Sequence, residues 1–487
     1  MFSSTKTSRF NASSFQIIKD AMLQSDALPL CEVLDDGQWQ ASFDRHDIDF
    51  GRGEGSIYTP AITLWGLISQ VFFKAENRSC KTAVARIATL WATLGKVVCR
   101  TNTGAYCRAR LKIPFEVVRD TARQLALSTE DAFEQQAADE HEGEVHPVVA
   151  KVQSRPMTGR VLLVDGFTVT AADTPENQEE FPQNPSQKEG LGFPIIRGVS
   201  LISMITGLLF DVMLGPYAGK QSGETALLWQ MLDQLQPGDT LVADCFYCSY
   251  WLIAACQNKG VHIVMKNHDK REDDPLGARR LNKHQRVTVW LRPKRPDWMS
   301  EQEYDELPEQ IEIRLVDVII EQAGFRSKKY TIATTMVETK VYSRDWITSV
   351  YRSRWLVELD IRSLKCSLDM DTVRAKTPAM VRTEIWSCLL AYNLIRMKML
   401  QSCAVSGRMP RTLSFTTTLQ LLAANWVLAS VMLTAELVQL GLETSSSETV
   451  GNRLDRVEPR ANKRRPKLLA LLKKPRQLAK LELMNAA

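Results

Sequence analysis

The spacing of hydrophobic residues changes twice along the chain. Between residues 57 and 127 apolar side chains recur at helical spacing, which predicts packed helices. An acidic stretch at 129–147 contains few aromatic residues and predicts a linker. The period then becomes that of β-structure, and this order of elements is typical of a mixed α/β sheet with a polar site at strand ends. The predicted strands are 160–169, 195–204, 207–214, 240–244 and 261–266, and the predicted helices between them are 222–236 and 249–258.

A second change in pattern sets off residues 267–329. Dense charge and alternating apolar positions at 287–291 and 311–319 predict a small β-rich insertion, and 329–335 predicts a strand that returns to the main sheet. Helices are predicted at 351–365, 381–399 and 416–435. Five regions are expected. Residues 1–150 form a helical N-terminal region with the acidic linker, 151–266 form the first part of an α/β domain, and 267–329 form the insertion. The second part of the α/β domain covers 330–405, and a helical C-terminal region with a basic tail covers 406–487.

Composition adds limited constraints. A chain of 487 residues suits two to four domains, and its net charge of +5 is modest, so a case for nucleic acid depends on local clusters. One such cluster is the tail at 452–480, where Lys and Arg greatly outnumber acids. We find neither an apolar run of about 18 residues nor a secretory signal, and so expect no membrane span. The ten cysteines are scattered, as expected for reduced thiols in cytosol, and the lone C-x-x-C at Cys245 and Cys248 lacks a second pair for a zinc site.

The predicted helix at 351–365 combines acid, base and phenol on one face. At helical spacing Tyr351, Arg354, Glu358 and Lys365 fall within an arc of about 60°. A carboxylate that binds a metal, beside cations that bind an anion, suits the handling of phosphate. The alternative is a surface helix with i,i+4 pairs such as Arg354–Glu358.

Three carboxylates are candidates for catalysis and metal binding. Asp165 and Asp244 each follow an apolar run at a predicted strand end, and Glu358 lies on the helix after the insertion. Phosphodiester hydrolysis or transfer uses two divalent ions about 3.5–4 Å apart. Carboxylate oxygens favour Mg²⁺ or Mn²⁺ over zinc. The order of these acids along the chain therefore predicts a two-metal site.

These motifs resemble one known family. The spacing Tyr-x2-Arg-x3-Glu-x6-Lys that begins at Tyr351 resembles the signature of the insertion sequence 4 family of DDE transposases. The order strand–Asp165, strand–Asp244, β insertion, helix–Glu358 resembles that family's ribonuclease H-like catalytic domain. Residues 392–396 and the basic tail are also similar to members of this family, so the resemblance covers about 155–480. It implies a ribonuclease H-like mixed sheet, interrupted by a β-rich insertion and flanked by helical N- and C-terminal regions.

The resemblance also implies an activity and partners. The implied reaction is hydrolysis at the end of a mobile element, which frees a 3′-OH that attacks target DNA. The partners are double-stranded DNA, as transposon ends and target, and a second copy of the chain in a homodimeric synaptic complex. The implied location is the bacterial cytoplasm, in association with the nucleoid. The implied ligands of two Mg²⁺ ions, which Mn²⁺ can replace, are Asp165, Asp244 and Glu358, and the implied phosphate-binding residues are Tyr351, Arg354 and Lys365.

Several alternatives remain at this level. The first is a ribonuclease H-like nuclease without strand transfer, and the second is an inactive or domesticated DNA-binding protein that retains the fold. Trp290 and Trp298 in the insertion could hold a flipped base or pack in a core. In the N-terminal region a basic loop–helix entry predicts recognition of the terminal repeats, although it could equally be an ordinary capped helix with a solvated basic face. The residues predicted for that recognition are Arg100, Tyr106, Arg108 and Arg110.

Overall fold

The protein contains one large sheet flanked by helices. The computed structural model describes residues 14–26, 28–53, 55–96, 100–139, 159–219, 221–268, 271, 278–320, 328–450 and 471–486. The basic segment at 451–470 lies outside these residues, as do 140–147 of the predicted linker. Within the described ranges, no helix combines the length and the apolar character that a membrane crossing requires.

Helices precede the sheet, as the apolar spacing predicts. The helix α3 starts at Pro60 because the Thr59 side chain accepts a hydrogen bond from the Ile62 N–H and proline is tolerated in the first turn. Nearly every residue of α3 is buried, so this helix forms the centre of the N-terminal region. The helices are α1 Gln16–Ala21, α2 Asp36–Asp44, α3 Pro60–Phe72, α4 Cys80–Thr93, α5 Gly104–Arg110 and α6 Phe115–Asp139.

The acidic segment that begins at residue 129 is helical and not a linker as far as Asp139. Within α6, Thr129, Glu130 and Phe133 are buried. Glu130 accepts hydrogen bonds from the Ser203 and Thr206 hydroxyl groups, with Oε1 2.8 Å from Ser203 Oγ. The prediction was wrong here because acidic composition alone did not reveal that one of these acids has buried partners.

Nine strands form a single sheet in the order β3-β2-β1-β4-β5-β9-β8-β7-β6. Strands β1, β4 and β5 are parallel to one another, whereas β2 and β3 run antiparallel and form a hairpin. The insertion strands do not form a separate unit, because β8 pairs along β9 and β9 pairs with β5. The strands are β1 Val161–Thr170, β2 Ile195–Ser203, β3 Leu209–Pro216, β4 Thr240–Ala243, β5 His262–Lys266, β6 Arg279–Asn282, β7 Gln285–Leu291, β8 Gln310–Ile320 and β9 Lys328–Thr334.

Short helices connect these strands. The helix predicted at 222–236 is shorter than expected, since α8 ends at Trp229 and a separate 3-10 turn follows at Leu232–Gln234. The segment 173–190, between β1 and β2, contains one short helix, α7. These helices are α7 Pro175–Glu180, α8 Glu224–Trp229, α9 Tyr250–Asn258 and α10 Glu301–Asp305.

The segment predicted as one helix at 351–365 is divided. The helix α11 covers Arg344–Ser353 and α12 covers Trp355–Arg362, and a π-helical turn follows at Ser363–Ser367. Arg354 lies between the two helices but keeps helical backbone angles, with φ −51° and ψ −35°. Side chains on α11 and α12 therefore still share a face, whereas the π turn changes the direction of those after Arg362.

The C-terminal helices complete the core. The long helix α13, Pro378–Ser406, is almost entirely buried from Val381 to Cys403. It is followed by α14 Phe415–Ala429, α15 Ala435–Ser447 and α16 Arg476–Ala486. Trp426 of α14 packs against Trp65 and Phe72 of α3, with ring centroids 5.4 and 4.8 Å apart. The apolar face of α14 is thus largely covered by the protein's own N-terminal region.

Candidate active site

Asp165 and Asp244 lie side by side on adjacent parallel strands. The register of β1 and β4 pairs Leu163 with Val242, and two further residues along both strands bring Asp165 beside Asp244. Asp244 directly follows the end of β4, as predicted. Asp165 does not lie at a strand end, because β1 continues past it to Thr170 through its pairing with β2.

Local hydrogen bonds orient these two carboxylates. The Gly166 N–H donates to Asp165 Oδ1 at 2.8 Å. The Phe246 N–H donates to Asp244 Oδ1 at 2.8 Å, which closes the turn after β4. Each carboxylate therefore keeps its other oxygen for a further partner.

Arg354 connects the third acid to this pair. Its Nη2 lies 2.8 Å from Glu358 Oε1 and its Nη1 lies 3.7 Å from Asp165 Oδ2. The helix pair α11–α12 thus delivers Glu358 to the two strand carboxylates. We call Asp165, Asp244 and Glu358 the carboxylate cluster.

Burial and negative charge perturb Asp165. Removal from water raises the pKa of Asp165 to about 6, and Asp244 and Glu358 add to the rise, whereas the Gly166 N–H and Arg354 oppose it. Because the charges of Asp244 and Glu358 both affect the pKa of Asp165, the three carboxylates lie close together. The carboxylate cluster is therefore a concentration of negative charge that Arg354 offsets in part.

Glu224 and Tyr247 adjoin the carboxylate cluster and were not expected from the sequence. Tyr247 is buried and its hydroxyl donates to Glu224 Oε2 at 3.0 Å. Burial, followed by the charges of Glu224, Asp165 and Asp244, raises the pKa of Tyr247 well above its usual range. The Glu224 carboxyl group packs on the backbone of Gly166, where an added Cβ would meet it at 2.3 Å. The glycine directly after Asp165 was the one local signal for this close approach.

The other signature residues have different surroundings. Tyr351 is buried, with its ring centroid 6.4 Å from that of Tyr330, and burial raises its pKa to about 12. Lys365 lies in the π turn with Nζ 2.8 Å from Asp371 Oδ1, so its observed partner is outside the carboxylate cluster. The backbone carbonyl of Asp371 accepts from the Thr170 N–H at 3.0 Å, which places this pair at the far end of β1.

A buried ion network holds α12 against the sheet. Asp360, which is fully buried, accepts from Arg396 of α13 and from Arg411 at 2.6 Å. Arg411 also donates to the backbone carbonyls of Ser203 and Met204 at the β2–β3 turn. Since Asp360 lies two residues after Glu358, this network fixes the helix that carries the third acid.

The predicted N-terminal recognition residues are only partly available. Tyr106 is fully buried against Gly66 and donates to Gln70 Oε1 at 2.7 Å, so it cannot contact DNA as predicted. Arg110 donates to the Cys80 thiol at 2.7 Å. Arg100 and Arg108 are exposed.

The insertion tryptophans differ in exposure. Trp290 is 9% exposed and lies under the Arg271 guanidinium, 3.6 Å from the ring centroid. Trp298 is 46% exposed and packs edge-on against Trp229. Trp290 is thus a core residue in this structure, whereas one face of Trp298 remains open.

No preformed metal centre is visible in the part of the chain that the structure describes, since no three His, Cys, Asp or Glu side chains are grouped as ligands. Cys248 is buried and Cys245 is half-buried, and neither belongs to such a group. In the carboxylate cluster, the Arg354 guanidinium lies against two of the three acids.

Comparisons with known proteins found similar transposases. Residues 156–394 match the family model described as "Transposase DDE domain". The chain is 26% identical over 264 residues to "Transposase InsG for insertion sequence element IS4" of Escherichia coli (strain K12), across 52% of this chain and 56% of that protein. It is 30% identical over 77 residues to the "Transposase for insertion sequence element IS421" of Escherichia coli, across 16% of this chain and 21% of that one.

The chain thus spans just over half the length of the first of these relatives. Among solved structures, a "piggyBac transposase synaptic complex with hairpin DNA" matches with a TM-score of 0.42 and 10% identity over 90% of this chain and 84% of that one, a similarity too low to carry an argument. These matches agree with the family that the sequence motifs suggested: residues 156–394 match a transposase DDE domain, and the chain is similar to a transposase of insertion sequence element IS4.

Proposed function

We propose that the protein is a metal-dependent DNA transposase, which cleaves the ends of an insertion sequence and joins the freed 3′-OH to target DNA. The observation that carries this proposal is the contact of Arg354 with both Asp165 and Glu358, beside Asp244. The strand order β3-β2-β1-β4-β5, with β1, β4 and β5 parallel, supports a ribonuclease H-like catalytic domain.

The donor set of the carboxylate cluster fits divalent cations. Its oxygen atoms are the ligands that Mg²⁺ prefers. Burial raises the pKa of Asp165 and the charges of Asp244 and Glu358 add to the rise, so bound cations would stabilise the ionised carboxylates. Asp165, Asp244 and Glu358 would hold two Mg²⁺ ions, which Mn²⁺ can replace. When bound, such ions activate the attacking oxygen and stabilise the leaving oxygen.

The chain's own cations orient the acids and the substrate. Arg354 holds Glu358 toward β1, and its remaining N–H donors can bind a phosphate oxygen. Lys365 would release the exposed carboxylate of Asp371 and bind a phosphate in its place. Tyr351 is buried next to Asp244, so its proposed phosphate contact is limited to its hydroxyl group.

Partners and location follow from the same proposal. The DNA partners are the terminal repeats and the target duplex, and the protein works as a homodimer in a synaptic complex, in the cytoplasm at the nucleoid. The apolar face of α14 gives no separate support to the dimer, because it packs on α3. In the N-terminal region, Arg100 and Arg108 are the exposed residues that would bind the terminal repeats.

One assay distinguishes a transposase from the two alternatives, which are a nuclease without strand transfer and a DNA-binding protein that lost catalysis. Purified protein is incubated with a duplex that ends in the element's terminal repeat and with a supercoiled plasmid, in Mg²⁺ or in EDTA. A transposase cleaves the duplex and joins it to the plasmid only with the metal. A nuclease cleaves without joining, and a protein that lost catalysis does neither. Absence of joined product under conditions that support cleavage would contradict the proposal.

A further inference from the structure

A cavity lies where the N-terminal helices meet the catalytic region, and its lining includes none of the residues of the carboxylate cluster. Its walls come from α3, from the 3-10 turn Ala75–Arg78, from α4 and α5, and from α13 with the segment before it. The cavity encloses about 140 Å³. A water molecule needs only about 10–15 Å³ of cavity, so a much larger polar group fits.

Three arginines and one acid line this cavity. Arg78 and Arg110 come from the N-terminal side, and Arg374 and Glu384 come from the other. Three guanidinium charges against one carboxylate leave a surplus of two positive charges. The Glu384 carboxylate is already engaged, because Oε2 accepts from the backbone N–H groups of Arg374 and Ala375 at 3.0 and 2.9 Å.

The arginines differ in how many donors the protein uses. Arg78 is fully engaged, with Nη1 bonded to the carbonyls of Leu368 and Asp369 at 2.7 and 2.9 Å. Within the described residues, Nε of Arg110 is buried without a hydrogen-bond partner, and its Nη1 donates only to the Cys80 thiol. A buried donor without a partner costs about 1–3 kcal/mol, so a ligand that accepts from it is strongly favoured.

Arg374 supplies donors from the open side. Its Nη1 donates to the Ala75 carbonyl at 2.8 Å, and the residue as a whole is exposed. Guanidinium groups bind oxyanions through parallel N–H donors, and phosphate is the anion whose geometry suits several of them at once.

We propose that this cavity binds a phosphate group, held by Arg110 and Arg374. The group can come from free phosphate or from the DNA backbone, and the assignment to DNA rests on the proposed function. Proximity favours DNA: Lys74, at the edge of the same 3-10 turn, donates to the Cys366 carbonyl at 2.5 Å, in the π turn that also contains Lys365. A strand that passes Lys365 would thus reach the cavity next.

The experiment titrates the full-length protein with inorganic phosphate at constant ionic strength, followed by calorimetry. Arg110→Gln and Arg374→Gln should each weaken phosphate binding by roughly tenfold or more, the loss expected for a charge-assisted hydrogen bond. Arg52→Gln is the matched control, since it removes the same charge from a position in the N-terminal region that is 82% exposed and does not line the cavity. Because Arg374 is exposed, Arg374→Gln should fold normally, so it tests the proposal even if Arg110→Gln misfolds.

A second arm identifies the source of the phosphate. Duplex DNA added to the phosphate-saturated protein should displace phosphate, and Arg374→Gln should reduce the salt slope of DNA affinity by about one. Displacement assigns the site to DNA, and phosphate binding without displacement assigns it to free phosphate. Equal phosphate binding by wild type and both variants, or none by wild type above the chloride control, overturns the proposal. The first arm requires no cleavage, so an Asp244→Ala protein should bind phosphate normally even if the proposed function is wrong.

Discussion

The Arg354 guanidinium lies 3.7 Å from Asp165, and this contact joins the helices after the insertion to the first strand of the sheet. The same side chain pairs with Glu358 at 2.8 Å. The i,i+4 pair that could have been a surface feature is therefore half-buried and part of the carboxylate cluster.

Replacement of Arg354 by alanine should separate these two roles. A pair of this kind contributes only about 0.5 kcal/mol to helix stability, so unfolding should change little. If the guanidinium also binds a substrate phosphate, engagement of the cleavable end should weaken by about 1–3 kcal/mol. Binding and cleavage of end DNA are compared with those of Arg352→Ala, an exposed neighbour. If the Arg354 variant cleaves end DNA at the rate of the control, Arg354 only pairs with Glu358 and does not bind a substrate phosphate.

Substitution of Asp360 by asparagine should destabilise the protein strongly. The change removes the buried carboxylate shared by Arg396 and Arg411, and breaking a buried pair from one side costs about 3–5 kcal/mol. Urea unfolding measures the loss. Asp371→Asn, which removes a carboxylate that is 61% exposed, should cost about 1 kcal/mol or less. Similar midpoints for the two variants would show that the network does not hold α12.

The buried Lys398 should make stability depend on pH. It is fully buried in α13, its Nζ donates to the Leu23 carbonyl at 2.6 Å, and burial lowers its pKa to about 7. In the unfolded chain a lysine titrates near pH ~10.4, so between these values the unfolded state binds more protons than the folded state. This residue therefore makes the free energy of unfolding rise with pH across that window, by at most about 1.4 kcal/mol per unit.

Lys398→Met removes that dependence. The variant should be more stable than wild type at neutral pH, with the difference shrinking toward pH ~10. Lys376→Met, at an exposed position, serves as the control. Parallel stability profiles for wild type and Lys398→Met between pH 7 and 10 would show that Lys398 remains charged in the fold.

Gly166→Ala should disturb the site because its Cβ would lie 2.3 Å from the Glu224 carboxyl carbon. Overpacking of this kind costs about 1–3 kcal/mol, and it displaces Asp165 as well. The double variant Gly166→Ala, Glu224→Ala should recover much of the lost stability, since the clashing group is gone. Gly223→Ala meets nothing within 4 Å and provides the control. No recovery in the double variant would mean that Glu224 does not occupy this position.

Local sequence patterns predicted the acids but not all of their surroundings. Apolar runs before Asp165 and Asp244 revealed the two strands, and the spacing around Glu358 revealed the helical face. The strand predicted at 160–169 nearly matches β1, Val161–Thr170, so the error was to place Asp165 at the end of the strand and not within it. The local pattern also could not show that Glu224 packs on Gly166, because Glu224 comes from a distant helix.

Contacts between distant parts of the chain could not be predicted, because local sequence does not show which segments pack together. Tyr106 is buried because Gln70 and Gly66 of another helix surround it, although its own segment has the composition of a DNA-binding loop. The cavity between Arg110 and Arg374 likewise brings together side chains whose local sequences do not indicate a shared site.

The most direct test of the central claim is Mg²⁺-dependent cleavage of end DNA by Asp244→Ala, with Asp233→Ala as control. Asp244 lies beside Asp165 in the carboxylate cluster, whereas Asp233 is 89% exposed and pairs with Lys259 at the surface. We expect Asp244→Ala to bind end DNA like wild type but to lose cleavage, while Asp233→Ala keeps both, because two-metal chemistry requires every carboxylate of the cluster. Cleavage by Asp244→Ala at the rate of the Asp233 control would contradict the assignment of this site.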